Sequence, residues 1–306
     1  MVNELIEWKP DVIHSQCEFF SYQYAKRISR LTKAPIVHTY HTLYEQYVGY
    51  VIPFRRFGAR VMAWFSKNRL KKAKCIIAPT HKVKKALEGY GIQNPISVLP
   101  SGIDLEQHKN RILPSQKAEM RQALGIPENT KVLLNLGRLG EEKNIDELLV
   151  FFQKALEVRQ DLFFLIVGDG PAKEKLEKEA KKLGIWEKVC FTGMVPPTKV
   201  QEYYQLGDLF VNASTSETQG LTYIEAAANG LPLLCREDPC LKNVLLPNEN
   251  GYFYTNESDF LDSLNHLLNN NDQFKQMSEK SIEVSSRFDK KEFGNKVEEI
   301  YHSVLQ

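Results

Sequence analysis

Residues Ser214 to Gly230 read STSETQGLTYIEAAANG, and their character changes halfway. The first seven are polar and end in a glycine. Leu221 to Asn229 are helix formers, and Gly230 stands where a helix C-terminus favours a residue free to take positive φ. The short apolar run Asp208-Leu209-Phe210-Val211 comes just before, so the whole predicts strand, loop, helix. At such a helix start, here around Gln219-Gly220-Leu221, the first backbone N–H groups have no partner within the helix and favour an anion such as a phosphate. Two carboxylates flank the start, Glu217 in the loop and Glu225 one to two turns along the helix. A ligand with a sugar at one end, phosphates in the middle and a second sugar beyond fits that spacing. Two glutamates alone read more simply as a solvated loop acid and an exposed helix acid, so the rest of the chain decides.

The chain has 306 residues, of which 42% are hydrophobic, which suits two domains with sizeable cores. Alternating strand and helix patterns run through both halves and favour parallel sheets with right-handed crossovers. In the first half the strand-like runs are Asp11–His14, Ala34–His38, Cys75–Ala78 and Ile96–Leu99. Helices are expected from Phe19 to Leu31, from Phe54 to Ala73, and from a Thr80 cap to Gly89. Residues 105–130 break the rhythm with Pro114, Gly125 and Pro127 and read as a linker with one short helix. Strands then recur at Val132–Leu136, Leu162–Val167, Val189–Phe191, Asp208–Val211, Leu231–Cys235 and Tyr252–Tyr254, and helical patterns close the chain.

Charge is uneven. Met1 to Asp104 carry sixteen Lys and Arg against seven Asp and Glu, a net +9, which leaves −7 for the remainder. The helix around FRRFGARVMAWF, continuing to Lys67, Arg69, Lys71, Lys72 and Lys74, interleaves aromatic residues with cations. Such a face rests on anionic lipid headgroups or is the solvated side of a core-packed helix. No base-reading motif accompanies the charge, so nucleic acid explains it less well. The five cysteines show neither CxxC pairing nor metal-ligand spacing and are expected as reduced thiols in a cytoplasmic protein. The opening ten residues read as neither a secretory signal nor a membrane span.

In open parallel sheets ligands bind beyond the carboxyl ends of the strands. After Val132–Leu136 come Gly137-Arg138-Leu139 and then Glu141-Glu142-Lys143-Asn144, so that an Arg and a Lys bracket a helix start and suit a diphosphate, or are two solvated cations. After Leu162–Val167 comes Gly168-Asp169-Gly170, a weak signal that a plain turn explains equally. Gly193-Met194-Val195-Pro196 follows Phe191 and offers backbone to a planar base, or is a simple loop. In the first half, His38 and His41 end a strand.

These segments, GRLGEEKN, VGDGP, STSETQGLTYIEAAANGLPLL, VHTYHT and VLPSGID, resemble the retaining family-four glycosyltransferases of the GT-B fold, over nearly the whole chain. Within that family HTYHTLYE and SETQGL look closest to bacterial diacylglycerol glucosyltransferases, which build membrane glycolipids. The resemblance implies an α/β protein of two Rossmann-like domains whose parallel sheets face across a cleft. It implies a hexosyltransferase that moves glucose from UDP-glucose to a lipid acceptor, diacylglycerol, while peripheral on the inner face of the cell membrane. Arg138 and Lys143 would neutralise the donor diphosphate and Glu225 would hold the ribose hydroxyls. Glu217 and His41 would lie at the transferred sugar. Gly168, Gly220, Leu221 and Thr222 would line the donor, the Met194–Val195 backbone would lie near the base, and His38 stays structural. No D-x-D acid pair is present, so the reading expects neither metal nor cofactor, with the lysine and arginine in the metal's place.

The expected divisions are a partial acceptor-side domain over 1–104, the linker 105–130, a nucleotide-sugar domain over 131–288, and a last helix over 289–306 that returns to the first domain. The strand and glycine-rich loop that usually open the family's first domain are not in this sequence, so that domain is read as truncated. A noncatalytic nucleotide-sugar-binding fragment is therefore a second reading. A polysaccharide or another glycolipid as acceptor is a third.

Overall fold

The computed structural model describes residues 2–46 and 55–306. The chain divides into two compact units, Met1–Gly102 with Lys290–Gln306, and Ile103–Asp289.

In the first unit, strands β1 (Ile13–Ser15), β2 (Ile36–Thr39), β3 (Ala73–Ala78) and β4 (Ile96–Val98) form one parallel sheet in the order β1-β2-β3-β4. Helices α1 (Val2–Trp8), α2 (Phe20–Thr32), α3 (Arg55–Leu70) and α4 (His81–Gly89) alternate with them. Side chains leave a strand on alternate faces, and the packing follows that rule. Ile36, Ile76 and Ala78 join Tyr22 of α2, Leu70 of α3 and Val83 and Leu87 of α4 in one core. Val37, Cys75 and Ile77 face the other way, onto Val297 and Val304 of the C-terminal helix Lys290–Leu305. That helix is separated from the sheet by nearly two hundred residues of chain, yet it buries the face the local helices leave open. Thr80 caps α4, its hydroxyl accepting from the Val83 N–H at 3.4 Å. Phe54, read as the start of the basic helix, lies outside the described residues. The helix ends at Leu70 rather than Ala73 because Ala73, 4% exposed, already begins β3.

The second unit opens with α5 (Leu105–Lys109) and α6 (Pro114–Ala123), so the stretch read as a linker with one short helix carries two. It is packed as well. Ile103 and Ile126 are buried in this unit's core, with Ile112, Met120 and Leu124 against it. Prolines and polar residues hid that packing, because each helix touches the core through only a few apolar positions. There follow β5 (Lys131–Leu136), α7 (Ile145–Val158), β6 (Leu162–Val167), α8 (Lys173–Lys182), β7 (Val189–Phe191), α9 (Val200–Tyr204), β8 (Leu209–Asn212) and α10 (Leu221–Ala228). Strands β9 (Leu233–Arg236) and β10 (Gly251–Tyr254) and helices α11 (Glu257–Asn269) and α12 (Asn271–Ser285) complete it. All six strands are parallel, in the order β10-β9-β8-β5-β6-β7.

Both faces of this sheet are covered, which is why its strands read as unbroken apolar runs. In β6, Leu162, Phe164 and Ile166 enter one core while Phe163, Leu165 and Val167 enter the other. From β5 the chain first builds outward through β6 and β7, then returns to lay β8 on the opposite side of β5. The order reverses between β5 and β8, the switch point at which open α/β sheets form their ligand crevice.

Candidate active site at the β5–β8 switch point

The two loops that open at this crevice carry the residues singled out from the sequence. After β5, Gly137 to Lys143 ends in a short 3₁₀ turn over Glu141–Lys143, and Asn144 takes the left-handed conformation at φ 51° before α7 starts. The Asn144 side-chain amide donates to the Ala213 carbonyl at 3.2 Å, tying the post-β5 turn to the post-β8 loop. The Ser216 hydroxyl donates to the Glu142 carbonyl at 3.4 Å, a second tie.

Within this frame the Lys143 ammonium donates to Glu217 at 2.5 Å, each side chain less than one-fifth exposed. Arg138 reaches Glu142, which is itself almost buried while the guanidinium keeps about half its surface in solvent. Lys143 is not the solvated surface charge of the simpler reading, whereas Arg138 remains exposed at 47%. Each is held by a carboxylate at the crevice, one by a bond across the switch point. An ammonium has three donors, so Lys143 can bind a phosphate oxygen without releasing Glu217. Lys143 and Glu217 therefore form one pair, and Glu142, which sequence reasoning passed over, reaches the arginine on the same post-β5 loop. Its signal was present, an acid four positions beyond Arg138, but nothing in the spacing showed which of Glu141 and Glu142 turns inward.

Helix α10 begins at Gly220, whose φ of 77° and ψ of 70° mark it as left-handed. A Cβ there would stand 2.4 Å from Cδ2 of Tyr223, so the residue is glycine for both conformation and space. Leu221 and Thr222 are at the surface of this turn. The far end closes as a Schellman motif, with Gly230 N–H on the Ala227 carbonyl at 2.8 Å and Leu231 N–H on the Ala226 carbonyl at 3.1 Å. Glu225 stands apart from that pair. Its carboxylate accepts from the hydroxyl of the buried Tyr204 at 2.7 Å. Burial and then the Glu225 charge push the Tyr204 hydroxyl far above its ordinary pKa, so it remains a donor. Tyr204 was not singled out from sequence, where it looked like an ordinary core aromatic.

Gly168 joins the rim through its backbone. Gly137 N–H donates to the Val167 carbonyl at 2.9 Å, and Gly168 N–H to the Gly193 carbonyl at 3.2 Å. A Cβ on Gly168 would fall 1.9 Å from the Gly137 carbonyl oxygen. The glycines thus form a seam along the ends of β5, β6 and β7, which accounts for VGDG more specifically than a plain turn. Beyond the seam Met194 is 82% exposed, while Val195 packs partly against the core. Among the described residues no group of three or more His, Cys, Asp or Glu is placed to hold a metal ion.

His41 belongs to the first unit, beyond the end of β2. Its Nε2 lies 2.6 Å from Oε1 of Gln16. His38 is fully buried, with Nε2 3.1 Å from Glu18, itself 2% exposed. His14 links Tyr301 of the C-terminal helix at 2.6 Å to Thr39 at 2.7 Å. Burial, then the nearby charges of His38 and His41, lower its pKa from 6.5 to about 4. As pH falls below 6.5 the unfolded chain gains a proton that native His14 does not take up. Stability is therefore complete above 6.5 and drains away until about 4. Solvent screening of a part-buried ring leaves on the order of 1–2 kcal/mol of this effect. Urea midpoints of wild type should fall across that window more steeply than those of His14→Gln. Parallel curves would show that His14 makes no such contribution.

Comparison with known proteins gives the family. The family described as Glycosyl transferases group 1 matches residues 116–284, and Glycosyltransferase Family 4 matches residues 1–107. The alpha-monoglucosyldiacylglycerol synthase of Streptococcus pneumoniae is 34% identical over 298 residues, which are 96% of this chain and 67% of that one. The enzyme of the same name from Acholeplasma laidlawii is 29% identical over 313 residues, 99% of this chain and 78% of its own. Among solved structures, Anabaena HepE in complex with UDP-glucose superposes with a TM-score of 0.82 at 17% identity, covering 99% of this chain and 82% of its own. Sucrose-phosphate synthase from Thermosynechococcus elongatus gives 0.82 at 19% identity, covering 99% and 76%; at such identities both speak to the fold alone. With two parallel-sheet Rossmann-like units, a crevice built at the switch point of the second, and family matches along both, the chain belongs to the glycosyl transferases of group 1, a family-four glycosyltransferase of the GT-B fold and a hexosyltransferase.

Proposed function

We propose that this chain transfers glucose from UDP-glucose to the hydroxyl of a lipid, diacylglycerol, with retention of the anomeric configuration, at the inner face of the cell membrane. The observation that carries the donor half is the Lys143–Glu217 pair at the switch point, with Arg138 on the same post-β5 loop. As the sugar leaves, negative charge grows on the diphosphate, and fixed cations stabilise that charge more in the transition state than in the ground state. Glu217 orients Lys143 and lies near the transferred sugar, and the ribose hydroxyls fall to Glu225. With no carboxylate assigned as nucleophile, the acceptor hydroxyl attacks on the face the diphosphate leaves, and the departing phosphate oxygen takes its proton. The two glucosyldiacylglycerol synthases among the relatives support the choice of sugar and acceptor.

The membrane half rests on α3. Phe57, Arg60, Val61, Trp64 and Lys67 lie on one exposed stripe, with Phe57 64% and Trp64 67% exposed, while Ser66 and Leu70 are buried behind it. A stripe that merely solvates charge has no need of an exposed phenylalanine and tryptophan, whereas a lipid headgroup layer takes both aromatic rings and cations. Among the described residues no helix is long and apolar enough to cross a membrane.

Incubated with UDP-glucose and diacylglycerol in anionic vesicles, the protein should yield an α-glucosyl lipid. A β-linked product would end the retaining assignment, and glucose found only on a polysaccharide would end the lipid one. The protein should co-sediment with the same vesicles and be released as salt rises toward 1 M, where the Debye length is about 3 Å. Arg60→Ala and Lys67→Ala should each weaken partitioning about fivefold, in line with roughly 1 kcal/mol per cation. Sedimentation indifferent to both changes and to salt would remove the membrane role and leave the sugar chemistry untouched.

A further inference from the structure

The segment that follows β1 grips the His41 loop at three points. The buried Glu18 carboxylate places Oε1 3.1 Å from His38 Nε2 and accepts from the Tyr44 hydroxyl at 2.5 Å on Oε2. His38 and Tyr44 stand three residues to either side of His41, so one carboxylate pins both ends of the loop. Two residues earlier on the same segment, Gln16 reaches His41 itself. Its Oε1 is 2.6 Å from His41 Nε2, and its Nε2 is 3.1 Å from His14 Nε2.

With the Gln16 amide oriented as it stands, these contacts fix a consistent proton arrangement. An amide nitrogen only donates, so His14 meets Gln16 with a lone pair on Nε2 and carries its own proton on Nδ1, which donates to Tyr301 at 2.6 Å. The Thr39 hydroxyl, 2.7 Å from the same Nε2, shares that one lone pair with the Gln16 amide. With the Gln16 nitrogen turned to His14, its carbonyl oxygen faces His41, and a carbonyl accepts only from an N–H. The run Tyr301–His14–Gln16–His41 therefore passes one proton arrangement from the C-terminal helix to the rim of the sheet.

We infer that Gln16 is a positioning residue for His41, holding the ring in place and its proton on Nε2, so that Nδ1 is an acceptor. A substrate hydroxyl that meets the ring through Nδ1 would be bound as a donor. The inference rests on the place at the transferred sugar that the family resemblance implies for His41, and its test separates the two.

Gln16 is exposed, so its replacement leaves the core intact. In ¹⁵N NMR of histidine-labelled protein, wild-type His41 should show the Nε2–H tautomer. Gln16→Leu should lose that preference, lower kcat for transfer from UDP-glucose to diacylglycerol about tenfold, and leave KM for UDP-glucose within about twofold, as expected for a misaimed group rather than lost donor binding. Gln16→Glu, which still accepts from Nε2–H, should keep the tautomer and recover kcat to within about threefold. A wild-type Nδ1–H tautomer, or one unchanged in Gln16→Leu, overturns the positioning role whatever the rates. A tautomer lost with kcat unchanged overturns instead the place of His41 at the sugar.

Discussion

Lys143→Ala should lower kcat/KM for transfer from UDP-glucose by about 10²–10³-fold, the loss typical of removing one fixed donor to developing charge, roughly 3–4 kcal/mol. The expectation follows from where the ammonium is held. It is less than one-fifth exposed, 2.5 Å from Glu217, and fixed by a bond between the two loops that part at the switch point. A cation placed in advance loses little by reorganising when charge arrives. The same substitution strips a part-buried carboxylate of its partner, so some stability is lost as well, on the order of 1–3 kcal/mol. The double variant Lys143→Ala with Glu217→Gln distinguishes the two costs. Replacing the stranded carboxylate with an amide should restore the urea midpoint toward wild type and leave the rate at or below that of the single variant. Wild-type turnover in Lys143→Ala would end the diphosphate assignment. A rate restored by the second change would mean the lysine acts only on the fold.

Gly168→Ala should destabilise the second unit by at least about 3 kcal/mol. The added Cβ meets a carbonyl oxygen at 1.9 Å, and the backbone φ of 133° is one that residues with side chains rarely adopt. The atom in the way is backbone, the carbonyl of Gly137 immediately before Arg138, so it cannot turn aside as a flexible side chain would. Relief requires the β5 and β6 ends to separate, which moves Arg138 and should weaken UDP binding together with stability. Gly184→Ala is the control. There φ is also positive, at 70°, but nothing lies within 4 Å of the added atom, so only the conformational cost of about 1 kcal/mol applies. Urea unfolding and calorimetry with UDP on both variants decide the matter. Equal losses in the two would mean that the seam gives way easily and that its glycines serve conformation alone.

The seam shows why some of the site could be read and some could not. Alternating apolar runs and helix periodicity are local properties, and they placed Leu162–Val167 and Val189–Phe191 at their observed bounds. Residues 105–130 escaped because their burial depends on Ile103, Ile112 and Ile126 meeting a core assembled from strands far along the chain. Gly168 was visible as a glycine, but its reason, the Gly137 carbonyl, lies on a neighbouring strand. Glu142 and Tyr204 were ordinary residues in sequence and acquire roles only beside Arg138 and Glu225.

By itself the sequence determined the parallel α/β character, the strand–loop–helix of 214–230 and the loops that hold Arg138, Lys143 and Glu217, because hydrophobic period, capping residues and glycines act over a few neighbouring positions. Tertiary structure alone decided that the chain crosses back from β7 to β8 beside β5, and so which loops share a crevice. It also decided which acid holds which cation and that the C-terminal helix joins His14 through Tyr301. These are contacts between residues tens to hundreds of positions apart, and no local pattern encodes a distance that only the packed sheets bring into being.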